Sequence, residues 1–355
     1  MPTLFDPVIL GALTLPSRIL MSPLTRSRAS AGRVPNDLMR EYYTQRASAG
    51  LIFTEATCIG PRGVGYLDTP GIWSPAQTEG WRRITDSVHA AGGRIVCQLW
   101  HVGRLSHPDF LSGLPPVAPS AIACPGEIRT PTGHAPYPTP HALDADEIQA
   151  IIADYAQAAR NAQAAGFDGV EVHGANGYLP DQFLRDGTNR RTDEYGGPVE
   201  NRARFLLEAT DAAIGVWGAD RVGVHLSPRD MAHHGIADSG PAATFGYVAA
   251  ELGRRGIAYL FTRESVDGGP RFTPEMKRLF GGPVIANEGF TVAQAQQVLD
   301  AGEADAVSWG QQFLANPDLP KRLAHGLPLN TPNPATFYAP GATGYTDYPF
   351  IGQED

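Results

Sequence analysis

Short apolar segments recur along the chain, and each is followed by a polar loop and an amphipathic segment. Eight such segments occur, at 18–23, 51–56, 94–100, 167–173, 221–227, 257–262, 283–287 and 304–309. Most of them are rich in Val and Ile and apolar on both faces, as is typical of parallel strands covered by helices. This alternation predicts an α/β fold built on a parallel sheet.

The segments between these runs have the periodicity of amphipathic helices. They span 37–49, 75–91, 144–165, 199–216, 241–255, 274–280, 292–301 and 313–325. In 144–165, Asp144 and Glu147 form a capping-box sequence, and Gly166 marks the helix end. Eight strands alternating with eight helices predict a single (β/α)8 TIM barrel over 1–355. A doubly wound sheet is the alternative, but no Gly-x-Gly-x-x-Gly sequence follows any strand.

One connection, 102–143, interrupts this alternation after the third strand. It contains nine prolines and no helical periodicity. A connection of this length is typically a lid or subdomain, and this one leaves from the face where barrel active sites lie. We expect an irregular loop or cap region; a surface decoration is the alternative.

Composition excludes several classes of protein. The chain has 28 basic and 37 acidic residues, for a net charge of −9, and no cluster of Lys and Arg, so neither nucleic acid nor membrane binding is expected. No apolar run is long enough for a membrane span. Three cysteines without a Cys-x-x-Cys pair argue against a disulfide framework. The first 21 residues lack the basic region of a signal peptide, so we expect a cytoplasmic protein.

Three polar side chains follow the fourth predicted strand: His173, Asn176 and Tyr178. In a barrel, the carboxyl ends of the strands and the following loops form the active site. Two hydrogen-bond donors beside a phenol can hold a carbonyl or nitro oxygen and protonate a neighbouring carbon. The alternative is structural, with His173 and Asn176 bonded to loop backbone and Tyr178 packed. Asn and Tyr are poor zinc ligands, and His101, His107 and the pair at 233–234 lack suitable partners, so no metal is expected.

Other strand ends suit a flat ligand that carries a phosphate. Thr25 and Gln98 are uncharged polar residues on different strands, and Trp100 would add an apolar wall. The last two strands end at 287–289 and 310–311, where backbone N–H groups can hold a phosphate. A buried Gln98 amide bonded to barrel backbone and a conformational role for these glycines remain alternatives. The residues therefore predict a barrel enzyme with a planar, phosphate-bearing cofactor, without identifying its reaction.

Nine motifs over nearly the whole chain carry a family resemblance. They are 4–7 (LFDP), 21–26 (MSPLTR), 42–47 (YYTQRA), 54–57 (TEAT), 98–104 (QLWHVGR), 166–178 (GFDGVEVHGANGY), 189–197 (NRRTDEYGG), 315–319 (ANPDL) and 344–349 (GYTDYP). Together they resemble the Old Yellow Enzyme family of FMN-dependent ene-reductases, in particular its bacterial alkene, N-ethylmaleimide and nitrate-ester reductase branch. The fold of that family is the (β/α)8 barrel.

The resemblance implies a non-covalent FMN at the barrel mouth. Thr25 would hydrogen-bond the flavin O4 region, and Gln98 would bind the pyrimidine edge. Backbone N–H groups of the last two strand ends would hold the phosphate. The cofactor-binding residues it implies are Pro23, Leu24, Thr25, Ala56, Gln98, His225, Arg263, Asn287, Glu288, Gly310 and Gln311.

The resemblance also implies a reaction. NAD(P)H would reduce the flavin in the same pocket, and hydride would then pass from flavin N5 to the β-carbon of an electron-poor alkene. His173 and Asn176 would bind the activating oxygen, and Tyr178 would protonate the α-carbon. Tyr66, Trp100 and Tyr338 match positions that line the substrate pocket. We expect small electron-poor alkenes as substrates, no nucleic-acid or membrane partner, and a monomer or homodimer.

Two other functions stay open at this stage. One is reductive denitration of nitrate esters or nitroaromatics in the same site. The other is a barrel that has lost FMN and only binds small ligands.

Two positions depart from the family pattern. His225 stands where most members carry an arginine near flavin N1 and O2, and Gln311 replaces an arginine beside the phosphate. A neutral side chain offers a hydrogen bond but no full charge. We expect Glu288 to turn its carboxylate away from the phosphate. We also hypothesise that Arg263, at the end of the sixth strand, replaces part of the lost charge; a surface arginine is the alternative.

Overall fold

A closed barrel of eight parallel strands forms the centre of the molecule, in a computed structural model that describes residues 1–229 and 234–352. The barrel strands are β3 (Ile19–Met21), β4 (Ile52–Phe53), β6 (Ile95–Trp100), β11 (Gly169–Gly174), β12 (Val222–Leu226), β13 (Tyr259–Arg263), β14 (Val284–Asn287) and β15 (Ala306–Trp309). Pairing of β15 with β3 and of β6 with β11 closes the ring. The predicted TIM barrel is confirmed, and each predicted apolar run overlaps one barrel strand, with β11 and β13 each ending one residue beyond it.

Helices surround this barrel much as the periodicity predicts. They are α1 (Asp37–Gln45), α2 (Pro75–Ala90), α3 (Ala145–Ala164), α5 (Val199–Trp217), α6 (Pro241–Arg255), α7 (Thr273–Phe280) and α8 (Val292–Asp300). The predicted capping box starts α3, because the Asp144 side chain accepts from Glu147 N and the Glu147 side chain accepts from Asp144 N. Ile148, Ile151 and Tyr155 form part of its buried face. No helix in the described part of the chain is long and apolar enough to cross a membrane.

Two helical features differ from the prediction. The segment predicted as one helix over 313–325 is two helices, α9 (Gln311–Ala315) and α10 (Leu319–Ala324). Pro317 lacks a backbone N–H and disfavours helical geometry in Asn316 before it, so the helix breaks there. The short helix α4 (Leu179–Leu184), which the sequence did not predict, follows β11 and buries all six of its residues.

A hairpin of β1 (Val8–Leu10) and β2 (Leu13–Leu15), also not predicted, closes the end of the barrel where the strands begin. Its inward side chains join the lower plug, the apolar cluster of Val8, Leu10, Leu13, Leu15, Leu20, Leu51, Phe53, Val96, Ala258, Tyr259, Phe261, Ile285 and Ala306. The turn requires Gly11, which has φ +56°, because a Cβ there would lie 2.1 Å from the Asp220 carbonyl oxygen. The plug leaves the opposite end of the barrel as the position for a site.

The long connection after β6, predicted to be an irregular loop or cap region, contains four short strands. It includes β7 (Val117–Ala118) paired in parallel with β10 (His141–Ala142), and an antiparallel hairpin of β8 (Glu127–Thr130) and β9 (Gly133–Pro136). A two-residue strand, β5 (Thr57–Cys58), pairs with the end of β6. The β7–β10 and β8–β9 pairings are internal to the connection, and Arg191 fastens its two ends to the loop after α4 by donating to the carbonyl oxygens of Pro119 and Leu143.

Candidate active site

A cavity of about 640 Å³ opens at the carboxyl ends of the barrel strands. Most of the residues predicted as site residues line it. They are Pro23, Leu24, Thr25, Ala56, Gln98, His173, Asn176, Tyr178, His225, Arg263, Asn287, Glu288, Gly310, Gln311 and Tyr338. The other two, Tyr66 and Trp100, lie behind Tyr178, with their rings stacked at 5.3 Å. The fold therefore brings together residues that are spread over more than 300 positions of the chain.

Several lining residues were not predicted: Ser22, Arg26, Phe290, Ser308, Trp309, Gln312, Leu314 and Phe337. Arg26 shows why. Its guanidinium donates to the carbonyl oxygens of Phe337 and Gly344, and so draws the C-terminal segment over the cavity. The motif over 21–26 could have indicated Ser22 and Arg26, but nothing in the sequence near Phe337 indicated its position.

The loop after β11 has an unusual backbone that turns Asn176 into the cavity. Asn176 has φ +61° and Gly177 has φ +79°. Asn176 N donates to Ser227 Oγ at 2.8 Å, and Gly177 N donates to Asp181 Oδ2 at 2.9 Å. A left-handed conformation in a residue with a side chain costs energy, so these bonds hold the loop in place.

Tyr178 follows directly as the residue that precedes helix α4. Its ring packs edge-on against Trp100 at 5.0 Å and against His173 at 5.1 Å. Its hydroxyl oxygen lies 3.3 Å from that of Tyr66. Burial raises the pKa of Tyr178 to about 12, with Tyr66 partly opposing the shift. The phenol therefore keeps its proton at neutral pH.

His173 is buried at the end of β11, and its ring stacks on His225 at 5.1 Å. Burial holds the pKa of His173 well below its usual value, and the nearby His225 and Arg263 act in the same direction. The imidazole is thus a neutral hydrogen-bonding group at physiological pH. Its Nδ1 atom is buried without a hydrogen-bond partner among the described residues.

Arg263 lies at the end of β13 and joins two sides of the cavity. Nη1 donates to Asn176 Oδ1 at 2.8 Å, and Nη2 pairs with Glu288 Oε1 at 3.0 Å. Arg263 thus contacts two other residues that line the cavity. The Glu288 carboxylate is directed to Arg263, and the backbone at Glu288 has φ +105°.

Gln98, Glu171 and His225 form a buried hydrogen-bonded group on β6, β11 and β12. Gln98 Nε2 lies 2.8 Å from Glu171 Oε1 and 3.1 Å from His225 Nδ1. The Gln98 amide nitrogen is thus bonded to side chains, whereas the structural alternative placed it on barrel backbone. Glu171 was missed, although a carboxylate in the middle of a strand that is apolar on both faces is itself a signal.

The last two strand ends are tied to the first strand. Asn287 Nδ2 donates to Ser22 Oγ at 2.9 Å and to the Ser308 carbonyl at 3.0 Å. Gly310 packs so closely that a Cβ there would lie 2.9 Å from Leu24 Cδ2. Gly289 and Gly310, which have no side chains, line the cavity at this corner.

Among the described residues, no group of three or more His, Cys, Asp or Glu side chains is placed to hold a metal ion. His233, one of the histidines considered from the sequence, lies outside the described residues.

Comparison with known proteins identifies the family. Residues 3–330 match the model of the NADH:flavin oxidoreductase / NADH oxidase family. A probable flavin mononucleotide-dependent alkene reductase of Leishmania infantum is 44% identical over 98% of this chain and 97% of its own. A solved structure of morphinone reductase with tetrahydroNAD has a TM-score of 0.95 and 50% identity, over 99% of this chain and 98% of that one.

A second solved structure gives the same result. The Old Yellow Enzyme homologue of Zymomonas mobilis has a TM-score of 0.96 and 48% identity, over 99% of this chain and 100% of that one. Together with the family model, these likenesses confirm the resemblance, the flavoprotein class and FMN as cofactor. The chain belongs to the NADH:flavin oxidoreductase / NADH oxidase family and is an Old Yellow Enzyme-like oxidoreductase.

Proposed function

We propose that this protein is an NAD(P)H-dependent ene-reductase for alkenes activated by a carbonyl or nitro group. The observation that carries the proposal is the convergence of His173, Asn176 and un-ionised Tyr178 on one cavity. Two neutral donors and a phenol are the groups that this reduction needs. The similarity to the Zymomonas mobilis enzyme supports placing the chain in the bacterial branch of the family. We place it, as a monomer or homodimer, in the cytoplasm.

The residues of the cavity fit FMN. His173 Nδ1 and His225 Nε2 are buried without partners among the described residues, and a polar ring edge would satisfy such atoms. Thr25, Gln98 and His225 would hold that edge. Backbone N–H groups at Asn287, Glu288, Gly310 and Gln311, all of which line the cavity, would hold the phosphate. When bound, FMN takes hydride from NAD(P)H and supplies it to the alkene.

His173 and Asn176 would bind the activating oxygen of the substrate. Arg263 Nη1 already donates to Asn176 Oδ1, so the amide Nδ2 group remains available as a donor. Negative charge grows on the substrate oxygen as the double bond is reduced. Donors placed at that oxygen therefore lower the barrier.

Tyr178 would give its proton to the α-carbon. Its phenol is held by Trp100 and His173 on its ring and by the Tyr66 hydroxyl at its tip. A donor fixed in this way needs little reorganisation when the proton moves. Tyr66, Trp100 and the exposed Tyr338 would shape the substrate pocket.

Arg263 would supply the positive charge that His225 and Gln311 do not. Arg263 lines the cavity and pairs with Glu288, one of the residues proposed to hold the phosphate. Its charge therefore lies between that residue and the loop of Asn176. A bound anion would compete with Glu288 for this guanidinium.

The first experiment is a visible spectrum of the purified protein during anaerobic titration with NADH or NADPH. We expect a flavin spectrum that bleaches with one equivalent of reductant and returns when cyclohexenone is added. A colourless protein that cannot be reconstituted with FMN would contradict the proposal and support a barrel that only binds ligands.

The second experiment separates the two half-reactions in Tyr178→Phe. We expect alkene reduction to fall about 10²-fold or more, as for loss of a general acid, while flavin reduction by NAD(P)H stays near the wild-type rate. Tyr137→Phe, at a partly buried phenol outside the cavity lining, is the matched control. Unimpaired alkene reduction in Tyr178→Phe would assign the proton to another donor.

A further inference from the structure

Three side chains from adjacent barrel strands meet below the cavity. Glu171 on β11 is registered with Gln98 on β6, and His225 on β12 lies two residues beyond its other partner, Gly223. All three are almost completely buried, and Gln98 and His225 also line the cavity. The group therefore links a carboxyl inside the barrel to two side chains that face a ligand.

The contacts determine which nitrogen of His225 carries the proton. An amide nitrogen only donates hydrogen bonds, and Gln98 Nε2 lies within bonding distance of both Glu171 Oε1 and His225 Nδ1. His225 Nδ1 must then accept, which places the imidazole proton on Nε2 in the neutral ring. His225 Nε2 is buried and has no partner among the described residues.

Glu171 is what orients the Gln98 amide. When the carboxyl is ionised, or carries its proton on Oε2, Oε1 is an acceptor and takes a hydrogen bond from Gln98 Nε2 at 2.8 Å. The opposite amide orientation would then place two oxygens against each other. In that opposite orientation His225 Nδ1 would face an acceptor and would have to carry the proton itself. The position of one carboxyl oxygen thus decides the tautomer of a histidine 3.6 Å away.

The other groups that face these three side chains come from β11 and β13. His173 stacks on His225, Arg263 acts electrostatically on His225, and Tyr259 lies near Glu171. Burial lowers the pKa of His225 to about 3, so the ring stays neutral. Burial also raises the pKa of Glu171 to about 8, against the hydrogen bond from Gln98.

We propose that Glu171 is a positioning residue that acts through Gln98 to hold His225 as the Nε2–H tautomer, which offers a neutral donor to the polar edge of the flavin. This inference rests on the proposed function for the identity of the ligand, but not for the tautomer. It gives a role to a buried carboxyl that the reduction itself does not require. When Glu171 ionises, its charge would also act on the flavin edge that Gln98 and His225 hold.

The first test uses the FMN-free protein labelled with ¹⁵N-histidine, with His225→Asn to assign the signals. In the wild type we expect an unprotonated Nδ1 and a protonated Nε2. Glu171→Gln keeps an oxygen that can accept from Gln98, so it should keep this tautomer. Glu171→Met removes the acceptor and should give a mixture. A protonated Nδ1 in the wild type, or an unchanged tautomer in Glu171→Met, would overturn the proposal.

The second test measures FMN affinity at neutral pH. We expect Glu171→Met to weaken FMN binding about tenfold, the effect of one misdirected neutral donor, and Glu171→Gln to bind within about twofold of the wild type. Glu55→Gln is the matched control, because Glu55 is another buried carboxyl whose pKa is raised, to about 7, and it bonds to backbone N–H groups of Arg26 and Ser27. Equal losses in the Gln and Met variants at 171 would contradict positioning.

The third test follows the midpoint potential of the bound flavin against pH. Ionisation of Glu171 places a negative charge beside the group that accepts electrons, so the wild-type potential should fall more steeply above about pH 8 than that of Glu171→Gln. The same slope in both proteins would overturn the electrostatic part of the proposal. A wild type that binds no FMN would contradict the proposed function, while the histidine spectra would still decide the tautomer.

Discussion

The two ends of the barrel are built from the same eight strands and have opposite chemistry. At the lower end, Phe53 packs edge-on against Tyr259 at 5.7 Å and Phe261 at 5.3 Å within an apolar cluster. At the upper end, His173 and His225 are buried with polar atoms that have no partner among the described residues. Burial of apolar groups stabilises a fold, whereas unpaired polar groups cost free energy. Of the two ends of the barrel, the lower one therefore contributes to stability and the upper one is suited to binding.

The largest expected effect is on stability, at the lower plug. Phe53→Ala removes a fully buried ring, so we expect the free energy of unfolding to fall by about 3–5 kcal/mol. Urea denaturation of the FMN-free protein measures it. Ile9→Ala is the control, because this side chain on the adjacent hairpin is 64% exposed, and its effect should stay within about 0.5 kcal/mol. If Phe53→Ala lowered the free energy of unfolding no more than Ile9→Ala does, the lower plug would not be a stabilising core.

The next effect is on catalysis, at the upper end. His173→Ala removes one donor to the substrate oxygen, so we expect kcat/KM for an enone to fall about 10²–10³-fold. The free energy of unfolding should change much less than in Phe53→Ala, because a buried polar atom without a partner is removed. Steady-state kinetics and urea denaturation of the same variant check both. A stability loss as large as that of Phe53→Ala would show that the upper end is also structural.

A smaller effect is expected at the rim. Arg263→Ala removes the cation that pairs with Glu288, and we expect the Kd for FMN to rise about tenfold, with a weaker dependence on salt. Fluorescence titration with FMN at two ionic strengths measures this. Arg254→Ala is the control, since Arg254 pairs with Glu251 on an exposed helix surface. An unchanged Kd in Arg263→Ala would contradict the charge compensation.

The smallest expected effect is that of pH on proton donation by Tyr178. The pKa of Tyr178 is raised to about 12, so its proton-donating form is lost only as pH rises through that value. Phenol ionisation should therefore cause no loss of rate between about pH 6 and 9. In the pre-reduced Glu171→Gln variant, which lacks the carboxyl that titrates near pH 8, the rate of alkene reduction should be flat over this range. Stopped-flow measurements across this range check it. A fall in the rate of that variant within this range would contradict Tyr178 as the proton donor.

Much of the architecture could be predicted because it depends on local pattern. Apolar runs with two buried faces and amphipathic segments with capping residues are readable over ten to twenty positions. Short elements carry less signal, so the β1–β2 hairpin and α4 were missed. Pro317 stood inside the last predicted helix and already argued against it. The site residues could be predicted because they lie at the ends of predicted strands or within family motifs, and both can be located in the sequence.

The sequence by itself determined the barrel, the strand ends that meet at its mouth and the residue types available there. Only the tertiary structure decided how those residues are paired. Arg263 contacts Asn176 and Glu288, 87 and 25 positions away. Glu171 accepts a hydrogen bond from Gln98, which lies 73 positions earlier in the chain. The physical reason is that a side chain's proton and charge depend on its nearest partners, and those partners come from strands that are distant in the chain.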